Sequence, residues 1–125
     1  NYLNLPEVQK ALHIPSDRKF KWEEYDMTNF TKIILNANIR VMFYYGDVDF
    51  TCNLLIGQRF AEQLGIKLKN EKQPWILNGQ IGGFKTEYEN GLLFTTIRGA
   101  GHMSPETNPQ QALYIFKQFL DNKPL

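Results

Sequence analysis

The chain has 125 residues, of which 42% are hydrophobic and 14% aromatic, and this is enough material for the core of one domain. Its 14 basic and 13 acidic residues give a formal net charge of +1, and the charges are spread along the whole sequence. Nucleic acid and anionic membranes both require a basic face, so neither is expected as the main partner. No apolar run approaches the roughly 18 residues of a membrane span. The chain lacks an initial methionine and a signal-peptide pattern, which predicts a processed or trimmed part of a larger protein.

Cysteine usage limits the chemistry further. Cys52 is the only cysteine, so the chain cannot form an internal disulfide, and no cluster of cysteine and histidine provides a zinc site. A single cysteine weakly favours a reducing compartment. The sequon Asn29-Phe30-Thr31 points the other way, because it fits glycosylation of a secretory protein at Asn29.

The amino-terminal half predicts two helices and then a strand. Residues 4–14 read as a short helix capped by Asn4, with Glu7 at capping-box spacing, and residues 16–26 read as a polar loop. A second helix is expected within residues 28–39. Residues 39–45 are almost continuously apolar, which is typical of a strand buried on both faces of a parallel sheet.

The carboxy-terminal half predicts a helix, three strands and a last helix. Residues 53–65 read as a helix between an Asn53 cap and a terminal Gly65. Short strands follow at residues 74–77, 84–88 and 92–98, the last two as a hairpin or as neighbours. Asn108 is expected to cap the final helix, whose apolar stripe is assigned to the core and consists of Ala112, Leu113, Phe116, Phe119 and Leu120. This order of elements indicates an α/β fold, the carboxy-terminal part of a mixed and mostly parallel sheet flanked by helices.

One acidic and one basic residue stand just after two of the predicted strands. Asp49 comes after the strand at residues 39–45, and His102 comes after the strand at residues 92–98. If the two strands are neighbours, their carboxyl ends meet and the two loops converge. An aspartate before a histidine matches the chain order of the α/β-hydrolases, in which the nucleophilic serine precedes both. Neither Ser16 nor Ser104 lies in a G-x-S-x-G turn, so we expect the nucleophile to come from outside this chain.

Several motifs together resemble the serine carboxypeptidase family. YYGDVDFTCN is similar to that family's acid loop, commonly Y-x-G-D-x-D-x-x-C-N, and RGAGHMSP is similar to its histidine loop, G-A-G-H-M-V-P. YLNLPEVQKALHIP, KQPW, GQIGGF and FKQFLDNKPL also resemble the carboxy-terminal portion of the family, most closely its lysosomal animal members. The resemblance covers nearly all of residues 1–125, which implies the carboxy-terminal portion of a single α/β-hydrolase domain.

The resemblance assigns a role to each matching residue. It implies that Asp49 is the triad acid, that His102 is the general acid and base, and that Asp47 is structural. It implies that Cys52, with Thr51 beside it, borders the subsite before the scissile bond. It also implies that Met103 lines the pocket for the terminal side chain, which it suits because that pocket favours apolar residues. No metal and no cofactor is implied.

The sequence also departs from the family. The family usually has a cysteine soon after the tryptophan that matches Trp22, in a disulfide to the upstream part, and here WEEYD follows instead. Trp22 and Trp75 are interpreted as packing residues, and His13 as a structural residue at the end of a helix.

The leading hypothesis is the small chain of a serine carboxypeptidase that releases carboxy-terminal residues from peptides. The resemblance implies an amino-terminal large chain as partner, a homodimer of the assembled enzyme, synthesis as a zymogen and glycoprotein, and a lysosomal or secreted location. One alternative is a non-catalytic homologue that binds or protects other lysosomal hydrolases. Another is a different α/β-hydrolase, such as an esterase.

Overall fold

The computed structural model describes residues 2–21 and 25–125, so the predicted packing role of Trp22 lies outside the described residues. The described part contains five α-helices, four strands and two short 3-10 turns. The helices are α1 (Pro6–Ala11), α2 (Thr28–Asn36), α3 (Leu54–Gln63), α4 (Ser104–Thr107) and α5 (Pro109–Leu120). The strands are β1 (Val41–Gly46), β2 (Leu68–Leu77), β3 (Gln80–Tyr88) and β4 (Leu92–Ile97), and the 3-10 turns are Tyr2–Asn4 and Glu89–Gly91.

The strands form one mixed sheet in the order β1-β4-β3-β2. The mixed sheet flanked by helices is confirmed, but within the described chain it is not mostly parallel. Only β1 and β4 are parallel, whereas β4 and β3, and β3 and β2, are antiparallel. The reason is connectivity, because β2, β3 and β4 follow one another through short turns. Asn78 and Gly79, both at positive φ, make the two-residue turn that a tight hairpin requires.

The predicted burial of β1 on both faces is wrong for the described chain. Five of its six residues are half-buried or exposed, and Tyr44 keeps 43% of its surface exposed. The cause is position: β1 is an edge strand of the described sheet, and nothing in the described ranges pairs with its outer edge. The apolar sequence of β1 is typical of an interior strand, but in the described sheet β1 lies at the edge and stays partly exposed.

The core lies on both faces of the sheet. On one face, residues of β4 and β3 pack with α2 and α3 in a cluster that contains Leu35, Ala61, Leu64, Tyr88, Leu92 and Phe94. On the other face, α5 packs in a cluster that contains Trp75, Ile97, Ala100, Ala112 and Ile115. Trp75 is 1% exposed, and its indole N–H donates to the Thr96 carbonyl at 3.1 Å, which confirms it as a packing residue. No helix in the described ranges is long and apolar enough to cross a membrane.

The apolar stripe of α5 is only partly core. Ala112 is buried, as is Ile115 on the same side, but Leu113, Phe116 and Leu120 each keep more than half of their surface exposed. The helix therefore carries a second apolar face that nothing in the described chain covers.

Two of the four predicted helix-end residues have the predicted role. Asn53 caps α3 by accepting from the Leu55 N–H at 2.8 Å, and Gly65 follows the helix at φ 69°. Asn4 does not cap α1; its amide pairs instead with the backbone N–H and C=O of Phe20, at 2.7 and 2.8 Å. Such pairing satisfies loop backbone groups that have no strand or helix partner. Asn108 likewise makes no side-chain cap to α5.

Candidate active site

The parallel pairing of β1 and β4 brings the two predicted loops together. Val41 pairs with Leu92 at one end of the pair, and Gly46 pairs with Ile97 at the other. The carboxyl ends of the two strands therefore meet at one edge of the sheet, where ligands and catalytic groups collect in open α/β sheets. The acid loop that follows β1 and the histidine loop that follows β4 leave the sheet side by side.

Hydrogen bonds join the backbones of these two loops. The N–H of Asp47 donates to the Ile97 carbonyl at 3.1 Å, and the N–H of Val48 donates to the Ala100 carbonyl at 3.1 Å. The Asp47 carboxylate adds a third link, because it accepts from the Gly99 N–H at 2.6 Å. Asp47 thus has the contact that its predicted structural role requires. These hydrogen bonds fix the two loops relative to each other, so a shift of one loop also moves the side chains of the other.

Asp49 and His102 meet across the two loops. Nδ1 of His102 lies 3.0 Å from Oδ2 of Asp49, although the residues are 53 positions apart in sequence. The Asp49 side chain has only 6% of its surface exposed, whereas the His102 side chain has 57%. The acid is therefore covered and the ring is open on its outer side. This is the arrangement in which a carboxylate orients an imidazole whose other nitrogen, Nε2, is left for a reacting group.

Asp49 is held by its own loop as well as by His102. Its Oδ1 accepts from the N–H of Thr51 at 2.8 Å and from the N–H of Cys52 at 3.0 Å. These bonds favour the charged form. The Cys52 N–H, together with the His102 ring and the Thr51 N–H, lowers the pKa of Asp49 against the opposing effect of desolvation. The carboxylate therefore stays ionised to a lower pH than an ordinary aspartate.

The predicted substrate-contacting residues surround this pair. Thr51 and Cys52 are exposed on the acid loop, and Met103 directly follows His102 with 57% of its surface exposed. Their roles stay predictions. The carboxylate, the Cys52 thiol and the imidazole offer ligand atoms within 4.8 Å of one another, but both Asp49 oxygens already accept hydrogen bonds. These three side chains therefore fit the hydrogen-bonded pair of Asp49 and His102 at least as well as they fit a metal site.

The remaining residues that the sequence singles out lie on other elements. Asn29 is exposed in the first turn of α2, so its side chain is open to modification, and glycosylation stays a prediction. His13 is exposed at φ 55° just after α1, and Ser16 is exposed in the following loop. The structure thus brings together the predicted acid, base and flanking residues, and it places neither Ser16 nor His13 in that group.

Sequence reasoning missed three residues that shape the site. Gly46 ends β1 where an added Cβ would lie 2.2 Å from the Ala100 carbonyl oxygen, so only glycine fits between the loops. Ser104 and Asn108 bond to the backbone of the histidine loop. Gly46 could have been found, because a glycine that ends a strand before a functional loop indicates close backbone approach. The two polar side chains gave no such signal.

A separate cavity of about 350 Å³ lies at the opposite end of β4. Its wall includes Arg40, whose guanidinium donates to the carbonyls of Phe119 and Leu120 and lies 4.7 Å from the Phe119 ring centroid. These contacts satisfy carbonyls in the last turn of α5, so we interpret this cluster as structural.

The fold and the pair of loops place the chain among the α/β-hydrolases, with an acid and then a histidine at the carboxyl ends of adjacent parallel strands. Comparison with known proteins identifies the family. The chain belongs to the serine carboxypeptidase family, because the family model described as "Serine carboxypeptidase" matches residues 1–122. The resemblance drawn from the sequence motifs is thereby confirmed.

Curated relatives match almost the whole chain. The chain is 34% identical to the serine carboxypeptidase ctsa-4.1 of Caenorhabditis elegans over 143 residues and 34% identical to the lysosomal protective protein of Mus musculus over 146 residues. It is 32% identical to the serine carboxypeptidase-like 36 protein of Arabidopsis thaliana over 140 residues. These alignments cover 98%, 99% and 99% of this chain, but only 30%, 30% and 29% of the respective relatives. The chain thus spans less than a third of the length of the curated relatives.

A solved structure supports the same fold. The crystal structure of Kex1Δp, a prohormone-processing carboxypeptidase from Saccharomyces cerevisiae, superposes with a TM-score of 0.66 at 20% identity. The superposition covers 97% of this chain and 30% of the yeast protein.

Proposed function

We propose that this chain supplies the aspartate and the histidine of a serine-type carboxypeptidase, which releases carboxy-terminal amino acids from peptides through an acyl-enzyme. The observation that carries this proposal is the 3.0 Å contact between Asp49 Oδ2 and His102 Nδ1. Membership of the serine carboxypeptidase family supports it.

In the proposed mechanism each group has one step. The ionised Asp49 accepts a hydrogen bond from Nδ1–H, which fixes the tautomer of His102 and leaves Nε2 as the base. Nε2 takes the proton of a serine hydroxyl as the serine oxygen bonds to the scissile carbonyl carbon. The Asp49 carboxylate stabilises the imidazolium that forms. The ring then passes that proton to the leaving amino group, and water releases the acyl group by the same route in reverse.

The serine must come from polypeptide outside this chain, and the open side of β1 is where we expect that polypeptide to pack. The outer edge of β1 has no partner among the described strands. Beside it, an apolar groove of about 260 Å³ runs between β1 and α5. Its wall includes Met42 and Tyr44 from the strand and Leu113 and Phe116 from the helix. An unpaired strand edge next to exposed apolar side chains is a surface that requires a covering partner. We assign it to the amino-terminal, serine-bearing part.

The substrate contacts follow from position along the two loops. Thr51 and Cys52 stand two and three positions after Asp49 and are exposed, so we assign them to the subsite before the scissile bond. Met103 directly follows His102 with 57% of its surface exposed, and we assign it to the pocket for the terminal side chain. Its flexible thioether suits an apolar terminal residue.

The setting of the complete enzyme is also part of the proposal. We assign it to the lysosome or the secretory route, with glycosylation at Asn29, synthesis as a zymogen and assembly as a homodimer. One relative is named a lysosomal protective protein, and the Asn29 side chain is exposed.

The test uses the full protein and a matched pair of substrates, a blocked dipeptide with a free terminal carboxylate and the same dipeptide as its amide. We expect the acid to be cleaved at least about tenfold faster than the amide, because a carboxypeptidase binds the free carboxylate. Asp49→Asn is expected to lower kcat by about 10⁴-fold, as loss of the triad acid does. His102→Asn is expected to lower kcat by a comparable factor.

Matched controls separate the active site from general effects. Asp17→Asn changes an exposed aspartate, and His13→Asn changes the other histidine to a residue that tolerates positive φ. Both are expected to retain full activity. Absence of peptidase activity in a folded full protein would contradict the proposal and favour a non-catalytic, protective homologue. Equal cleavage of the acid and the amide would favour a different hydrolase.

A further inference from the structure

Side chains of α4 and of the turn into α5 hydrogen-bond to the backbone of the histidine loop. Ser104, the first residue of α4, is 2% exposed, and its Oγ donates to the Gly101 carbonyl at 2.9 Å. Gly101 immediately precedes His102. This hydrogen bond closes a short turn around His102 and Met103, and it restrains the peptide group between Gly101 and His102.

Asn108 holds the start of the same loop. Its side-chain Nδ2 donates to the Arg98 carbonyl at 3.3 Å, and its backbone N–H donates to the Ser104 carbonyl at 2.8 Å. The Asn108 Oδ1 atom is buried and accepts no hydrogen bond in the described part of the chain. Leaving a buried acceptor unsatisfied costs free energy, so this side chain is placed at a cost in stability. Stability alone therefore does not explain why an asparagine stands here.

His102 depends on this backbone for its orientation. The ring is 57% exposed, and its one side-chain hydrogen bond within the described ranges is the bond to Asp49. A ring held by a single contact keeps its second nitrogen in place only if its own Cα is fixed. Asp47 binds residue 99 from the acid loop, whereas Ser104 and Asn108 bind residues 101 and 98 from α4 and the turn that follows it.

We propose that Ser104 and Asn108 are positioning residues for His102, which set the direction of Nε2 through the backbone of residues 98–101. This inference rests on the proposed carboxypeptidase function. Neither side chain is hydrogen-bonded to Asp49 or to the His102 ring in the described structure, so each acts through the loop. Catalysis is sensitive to this kind of change, because a misplacement of about 1 Å can cost about 10²-fold in rate.

The main experiment compares Ser104→Ala with Thr95→Val in the full protein. Thr95 is the matched control, because it is 0% exposed and its hydroxyl donates to the Phe84 carbonyl at 3.1 Å within the sheet. Both variants lose one buried hydroxyl bonded to a backbone carbonyl, so we expect similar losses of unfolding stability. Only Ser104→Ala is expected to lower kcat, by about tenfold with KM within about twofold, since the loop shift should be a fraction of 1 Å. Ser104→Thr retains the hydroxyl and is expected to restore most of kcat.

Asn108→Ala provides an independent arm. The change removes the bond to Arg98 together with the unsatisfied Oδ1, so we expect little loss of unfolding stability. We also expect kcat to fall several-fold, which is a combination that a merely structural role would not give. Equal kcat values for Ser104→Ala and Thr95→Val, or an unchanged kcat in Asn108→Ala, would overturn the proposal.

A second measurement keeps this inference separate from the proposed function. The Nδ1 proton of His102 can be followed by NMR in the full protein without any substrate. Its hydrogen bond to Asp49 protects it from exchange with water, and we expect that exchange to accelerate in Ser104→Ala and Asn108→Ala but not in Thr95→Val. A folded protein that lacks peptidase activity but shows this pattern refutes the proposed function and retains the positioning role. Unchanged exchange in both variants refutes the positioning role itself.

Discussion

Gly46→Ala is the sharpest test of how the two loops fit together. An added Cβ would lie 2.2 Å from the Ala100 carbonyl oxygen and 2.5 Å from the Gly101 carbonyl oxygen. Both are backbone atoms, so no side chain can swing away to relieve the clash. Cβ atoms essentially never lie closer than 3.0 Å to such an atom, so the end of β1 and the histidine loop must separate by at least about 0.8 Å. A displacement of that size at His102 is expected to lower kcat/KM by about 10²-fold.

The assay is kcat/KM for the blocked dipeptide acid, with the concentration of folded enzyme checked by thermal unfolding. Gly65→Ala is the matched control, because Gly65 has a φ of 69° and nothing lies within 4 Å of the position that an added Cβ would occupy. That variant is expected to lose about 1–2 kcal/mol of stability through left-handed backbone strain and to keep its activity. A folded Gly46→Ala enzyme with kcat/KM within about twofold of the wild type would refute the reasoning. A crystal structure of Gly46→Ala in which Asp49 Oδ2 and His102 Nδ1 remain 3.0 Å apart would also refute the reasoning.

Two further predictions concern pH and the isolated chain. Because the Cys52 N–H, the His102 ring and the Thr51 N–H lower the pKa of Asp49, its ionisation stabilises the folded state above its unfolded pKa of about 3.9, and this stabilisation is lost as pH falls through the lower folded value. The difference in unfolding free energy between wild type and Asp49→Asn should therefore shift against the wild type as pH falls below about 3.9. A difference that does not change over this acidic range in denaturation titrations would show that the pKa of Asp49 is not lowered. Residues 1–125 alone are expected to associate through the β1 edge and the exposed Leu113 and Phe116, as measured by sedimentation, and Phe116→Glu should reduce this association. A monomeric, cooperatively unfolding wild-type chain would contradict that expectation.

The sequence predicted the elements that have strong local signals. The Asn53 cap and the terminal Gly65 gave the bounds of α3 nearly to the residue, because both ends depend on nearest neighbours. β2 begins at Leu68, six residues before the predicted start, because residues 68–73 are mostly polar and gain strand structure only by pairing with β3. That pairing is a long-range effect, which local propensity does not contain.

The contact between Asp49 and His102, the proposed catalytic pair, was predictable from the sequence, whereas the residues that hold the surrounding backbone were not. Asp49 and His102 stand in motifs with a recognisable chain order, and the parallel pairing of their strands brings them within 3.0 Å. Asn108 followed the capping pattern in sequence, but its amide instead reaches Arg98 because the turn between α4 and α5 places it against the histidine loop. Competition between a local cap and a tertiary partner is decided by the packed fold.

The hydrogen bonds between the backbones of the acid and histidine loops also separate two steps in the assembly of the enzyme. In the proposed enzyme, the acid and the base are aligned within one stretch of polypeptide, whereas the position of the serine hydroxyl depends on how a second stretch packs against β1. Changes elsewhere in the protein that inactivate it by displacing the serine should therefore leave the contact between Asp49 and His102 intact.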